Sequence, residues 1–162
     1  MTVLVLVGLP GSGKSTWAAA QPITVLSSDA IRQLLADDVN NQRIHKEVFR
    51  TLRFLLRRRL ELGAAATIID ATSLLPAHRK PWIKLAHSSG ALAEAVYFDT
   101  PLEECLRRNA ARSRVVPPEV ITSLAAKLCP PTLAEGFTTI HRIPFPPTNS
   151  YTGEVLGAAL LP

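Results

Sequence analysis

Near its start the chain carries an unbroken run of β-branched and leucine residues, Val3-Leu-Val-Leu-Val7. The run breaks at once into Gly8-Leu-Pro-Gly-Ser-Gly13-Lys14-Ser15. No other segment so narrows what the polypeptide can become. The spacing G-x-x-x-x-G-K-[ST] has meaning only where a strand ends in a loop and the loop feeds a helix. An uninterrupted apolar run suits a parallel strand covered on both faces. The glycines let backbone N–H groups close around phosphate oxygens without Cβ clashes, and a helix N-terminus adds its dipole and unpaired amides. Gly8, Pro10, Gly11, Ser12, Gly13, Lys14, Ser15 and Thr16 therefore form a candidate phosphate cradle. In it Lys14 would bridge the β- and γ-phosphates, and the Ser15 hydroxyl would hold Mg²⁺. The rival reading is a chance glycine turn.

Beyond the loop, strand and helix signals alternate. Helices are expected at 14–20, 29–36, 43–62 and 76–87, and strands at 2–7, 23–26, 67–71, 93–99 and 138–143. Residues 37–42 are polar and loop-like. Gly63 suits the position just past the long helix, and Pro81 leaves the start of the 76–87 helix open. Pro101 opens a further helix that carries into an arginine-rich segment, and Pro117 and Pro118 sit in the first turn of the next. Five strands with interleaved helices imply an α/β fold, a parallel sheet with helices on both faces. No repeat or linker interrupts it, so residues 1–162 are expected to form one domain, with 107–117 as a lid.

Asp70 ends the apolar strand Thr67-Ile-Ile-Asp70, where a carboxylate would reach the Mg²⁺ shell through water or, alternatively, cap a turn. Asp29, in Ser27-Ser28-Asp29-Ala-Ile-Arg32, lies just past the second strand, at the edge where open α/β sheets place ligands. Arg32 follows three residues on, along the same helical face. Transfer of a phosphoryl group to an alcohol needs such a carboxylate near the acceptor oxygen, and cations to offset charge on the γ-phosphate. The plainer alternative is an N-cap aspartate beside a solvated arginine. Arg107-Arg108-Asn-Ala-Ala-Arg112-Ser-Arg114 contains four arginines and no acid. Arg108 and Arg112 are expected on one helix face, with Arg114 where the helix breaks. Such a cluster would repel itself unless an anion sat among it, and a lid over a triphosphate would supply one; a solvated basic helix is the alternative. Lys14, Asp29, Arg32 and Arg112 form the candidate catalytic set.

The net charge of +5 is uneven, for residues 43–59 hold seven Lys or Arg against one Glu. In that segment Lys46, Arg50, Arg53 and Arg57 fall in a narrow stripe opposite the apolar arc of Ile44, Val48, Leu52, Leu55, Leu56 and Leu60. Arg50, Arg53 and Arg57 are candidates to track an acceptor's phosphate backbone; a solvated face is an equal reading. Phe54, beyond the stripe, suits packing better than base stacking. Cys105 and Cys129 are too isolated for a metal cluster and have no secretory context for a disulfide. The early apolar run lacks a basic leader, and no stretch approaches the ~20 residues of a membrane span. A cytoplasmic protein without membrane contact is expected. The absence of N-K-x-D and L-S-G-G-Q turns the reading away from guanine switches and transporter ATPases.

GLPGSGKSTWA, SSDAIRQ, IIDATSLLPAHR, RNAARSRVVPPEVI and PPTLAEGF, taken in order, resemble the ATPase module of phage and bacterial polynucleotide 5′-kinases. The resemblance runs over nearly the whole chain, and the ordered set makes it specific. It implies a P-loop kinase fold with strand order 2-3-1-4-5, an ATP donor with Mg²⁺, and a nucleic acid 5′-hydroxyl as acceptor. It further implies Asp29 as general base, Arg32 on the acceptor phosphate, and Arg108, Arg112 and Arg114 clasping the donor. A small-molecule hydroxyl kinase of the same superfamily is the alternative, and a non-catalytic ATP-binding module a second. Preference for RNA or DNA, donor base and oligomeric state are not fixed by these residues.

Overall fold

Alternation in the first strand sets the architecture. In a computed structural model, which describes residues 1–112 and 114–146, Val3 to Val7 of β1 (Thr2–Val7) are all fully buried. Val3 and Val5 point into one apolar layer with Val48, Leu52, Leu56 and Trp82. Leu4 and Leu6 point into the opposite layer with Ala18, Ile68 and Val96. A strand sandwiched in this way must be central, and β1 pairs in parallel with both β3 (Ala66–Asp70) and β4 (Leu92–Asp99). With β2 (Val25–Ser27) outside β3 and β5 (Thr139–Pro144) outside β4, the all-parallel order is β2-β3-β1-β4-β5.

The connections are α1 (Lys14–Ala19), α2 (Ser28–Ala36), α3 (His45–Glu61), α4 (Pro76–Ser88), α5 (Leu102–Ala110) and α6 (Pro118–Lys127). Expected and observed bounds agree closely, and the departures have causes. The long helix begins two residues late because Asn41 caps a 3₁₀ turn, Gln42–Ile44, accepting the Arg43 amide at 3.1 Å. Pro81 lies inside α4 and does not delay its start. The bond it cannot make would run to Ala77, and both residues are exposed to water. Gly63 stands past α3 with φ of 75°, the left-handed geometry that ends helices.

Two buried polar clusters shape the sheet's C-terminal rim. Arg79, fully buried, meets Glu135 through two bonds of 2.7 and 2.6 Å and donates to the carbonyls of Ser73, Leu74 and Cys129. It ties the loop after β3 to the segment after α6. Asn109 exchanges bonds of 2.7 and 3.0 Å with the backbone of Val116, folding the chain back after α5. That fold-back ends α5 at Ala110, so Arg112 lies beyond the helix and does not share a helical face with Arg108.

Candidate active site

The glycine loop is held open by what packs behind it. Gly11 has φ of 85°, and a Cβ there would stand 2.4 Å from the Cys105 carbonyl oxygen in α5. Only glycine lets the loop lie this close to α5 while its amides face the cleft. Lys14 folds back over the loop, its Nζ donating to the carbonyls of Gly8 at 2.9 Å and Leu9 at 2.7 Å. Burial lowers its pKa from 10.5 to about 8, with Asp70 the strongest opposing influence. An ammonium so desolvated would gain from a polyanionic ligand placed beside it.

Because β3 lies beside β1, Asp70 at the end of β3 reaches the first turn of α1. Ser15 Oγ donates to Asp70 Oδ2 at 2.8 Å. Among the described residues no three His, Cys, Asp or Glu side chains gather as a metal cage. A hydroxyl and one carboxylate side by side fit Mg²⁺, which keeps several waters and takes phosphate oxygens rather than an all-protein cage.

Across a cleft of about 690 Å³, lined by the glycine loop and the lid arginines, stand Asp29 and Arg32 of α2. Ser27 caps α2, which sets Asp29 in the first turn. Arg32 Nη1 donates to Asp29 Oδ1 at 3.1 Å, and Arg114 Nη1 donates to Oδ2 at 2.8 Å from 85 positions away. The Arg32 side chain is only 5% exposed, and its Nε has no partner among the described residues.

Besides the place of Arg112, the lid differs from the sequence expectation in its acids. Its arginines are not without acids. Glu104, one turn back in α5, accepts Arg107 at 2.7 Å and Arg108 at 2.5 Å, while Arg114 holds Asp29. The Arg107 hydrogen bond, then that of Arg108, brings the Glu104 carboxyl down to about 2. Arg112 has no ion-pair partner among the described residues and faces the cleft with Arg108 and Arg114. Arg50, Arg53 and Arg57 are exposed, Arg50 pairs with Glu47 at 3.1 Å, and none of the three lines the cleft. Phe54 also lies outside it, 58% exposed. In their place α3 contributes its first turns, His45 and Phe49, with Gln42 just before them. Sequence reading passed over these two rings, although their i, i+4 spacing puts them on one face.

Among the described residues no helix is long and apolar enough to cross a membrane. The chain is 24% identical over 156 residues to the bifunctional polynucleotide phosphatase/kinase of Schizosaccharomyces pombe, covering 92% of this chain and 35% of that protein. The chain thus spans about a third of the length of this curated relative. The solved Pnkp1/Rnl/Hen1 RNA repair complex superposes with a TM-score of 0.68 at 23% identity, over 78% of this chain and 43% of the other. A sugar kinase from Janibacter sp. HTCC2649 gives 0.65 at 20% identity, over 93% and 88%. Both likenesses show the fold, the five-stranded parallel α/β sheet of this chain being shared with them. Residues 3–131 match the profile of the AAA domain family, and the chain belongs to that family as a P-loop kinase domain.

Proposed function

We propose that the chain is an ATP-dependent phosphotransferase whose acceptor is the 5′-hydroxyl of a polynucleotide. The observation that carries the reading is Asp29, a carboxylate aimed into the cleft that holds the glycine loop and fixed by Arg32 and Arg114. Residues that only bind a nucleotide have no need of an oriented carboxylate opposite the phosphate cradle. The relation to the fission yeast phosphatase/kinase supports the choice of acceptor.

The loop amides and Lys14 take the triphosphate, and Arg108 and Arg112 lie over the same cleft to meet its charge. Ser15 and Asp70 would hold Mg²⁺, which when bound offsets phosphate charge and orients the transferring group. Asp29 accepts the proton of the acceptor hydroxyl as its oxygen bonds to the γ-phosphorus. The bond from that phosphorus to the bridging oxygen breaks, and its electron pair leaves on the nucleoside diphosphate. Arg32, nearly buried and with an N–H to spare, suits an acceptor phosphate. Arg114 reads as a positioning residue on the acceptor side, since its contact is with Asp29 rather than with the cradle.

A second reading, a small-molecule hydroxyl acceptor, is favoured by Arg50, Arg53 and Arg57 lying outside the cleft. The two separate in a labelled-ATP screen of 5′-hydroxyl oligonucleotides beside sugars, nucleosides and other small alcohols. Label on oligonucleotides, lost with Lys14→Ala and reduced at least ~10²-fold in kcat with Asp29→Asn, is the expected outcome. Label confined to small alcohols would overturn the polynucleotide acceptor, and normal turnover by Lys14→Ala would overturn the whole assignment.

A further inference from the structure

Every charged group lining the cleft has a task in handling phosphate, metal or a proton, but one wall is of another kind. His45 and Phe49, one turn apart on α3, stack with ring centroids 4.5 Å apart and planes tilted by 36°. Behind Phe49 lies Trp82, 6.1 Å away and 1% exposed, so the phenyl ring is backed by rigid core. His45 in front is exposed and lines the cleft with Phe49 and Gln42. Core packing accounts for the half-buried Phe49. It does not account for an exposed imidazole laid on that ring at the mouth of a phosphate-binding cleft.

Resting on the polynucleotide reading, we propose that His45 and Phe49 form a platform for the nucleobase of the acceptor's terminal nucleotide, with Gln42 beside it to meet the base edge. α2, which carries Asp29 and Arg32, packs against α3. A nucleoside with its hydroxyl at Asp29 and its phosphate at Arg32 therefore has the first turns of α3 as its neighbour. Stacking tolerates any base, because each has a π-face. A platform of this sort fixes the sugar's approach to Asp29 without demanding a sequence.

The test compares two 5′-hydroxyl oligonucleotides of equal length, one ending in an ordinary nucleotide and one whose terminal residue is abasic. Both keep the sugar and the phosphates. His45→Ala truncates an exposed side chain, and Phe49→Leu keeps a large apolar side chain against the core. Each variant should raise KM for the base-bearing acceptor about 5- to 140-fold, the equivalent of ~1–3 kcal/mol per stacked base. KM for ATP should stay as it was, and the penalty should vanish on the abasic acceptor. A 5′-terminal 2-aminopurine gives a readout independent of turnover: its fluorescence should be quenched on binding to the wild type and less so with His45→Ala. If the wild type labels both oligonucleotides with equal KM, or if the variants lose equally on both, the platform is overturned and the acceptor class stands. If the wild type labels no oligonucleotide at all, the polynucleotide reading falls and takes the platform with it.

Discussion

Donor binding should draw a proton from solution, in an amount fixed by Lys14. Burial lowers the pKa of this lysine to about 8 in the free protein. A triphosphate placed at its Nζ would favour the charged form and return the pKa well above that value. At pH 7 the free protein already carries about nine-tenths of the charge, so binding should take up only about 0.1 proton. At pH 9 it carries about a tenth, and uptake should be about 0.9. ATP affinity should accordingly be flat below pH 7.5 and weaken towards tenfold per pH unit above 8.5, a loss of about 30-fold between pH 7 and 9.5. Isothermal titration in buffers of different ionisation enthalpy, at fixed excess Mg²⁺, reads both quantities at once. Lys14→Met removes the titrating group and should give a weaker but pH-independent affinity over this range. The same shift bears on folding, with the sign that a depressed ammonium requires. The unfolded chain holds the Lys14 proton more tightly, so the cost of burying the charge is fully present below pH 8. It is relieved as pH rises from about 8 towards 10.5, by about 3 kcal/mol at 1.36 per unit. That gain should be absent from Lys14→Met. Proton uptake that stays near zero at pH 9, with affinity level through 9.5, would refute a desolvated ammonium at the phosphate site.

Three other perturbations address separate parts of the site. Arg114→Ala should lower kcat while leaving KM for ATP near the wild-type value, because its contact is with Asp29; a raised KM for ATP with unchanged kcat would return it to the donor. Asp70→Asn should raise the Mg²⁺ concentration for half-maximal turnover by about 10- to 100-fold, as loss of a carboxylate supporting a metal does, and an unchanged requirement would make Asp70 a partner of Ser15 alone. Arg79→Ala should cost about 3–5 kcal/mol in urea unfolding, since it leaves Glu135 and three carbonyls without their buried partner. A loss below about 1 kcal/mol would show that the rim is held by other contacts.

What could be read from the chain beforehand divides along physical lines. The sheet, its central strand and the cradle follow from signals confined to short windows: apolar continuity in Val3 to Val7, glycine spacing, and a carboxylate at a strand end. Strand order came with the family resemblance, because parallel pairing leaves no mark in the sequences of the paired strands. Asn109 and Arg79 look like ordinary surface residues in the sequence. Each is buried with a partner that comes from elsewhere: Val116 by a reverse fold, and Glu135 from 56 positions on. Phe54 and Phe49 show the same limit. Helical periodicity places both on α3, yet only the position of α2 and the cleft decides which ring lines it.

The arginine segment shows why charge counted along the chain misjudges a lid. Between residues 107 and 114 there is no acid, so the segment by itself would repel. The fold answers this with Glu104 from within α5 and Asp29 from across the cleft, each at hydrogen-bonding distance. Of the two, Glu104 offers Arg108 a single negative charge where a triphosphate would bring several. Arg108 can exchange one carboxylate for phosphate oxygens at little cost because it is partly solvated and Glu104 keeps Arg107 afterwards. Arg112, with no carboxylate to release among the described residues, has nothing to exchange and should gain the most from donor charge. Arg114 is bound by the opposite constraint. Leaving Asp29 for the donor would take a cation from the carboxylate just as an acceptor proton arrives there. Staying would keep Asp29 in register and, on the proposed function, leave Arg32 for the acceptor phosphate. On the proposed function, the division of labour within the lid would follow from where each arginine's carboxylate sits: Arg108 and Arg112 towards the donor, Arg114 towards the acceptor.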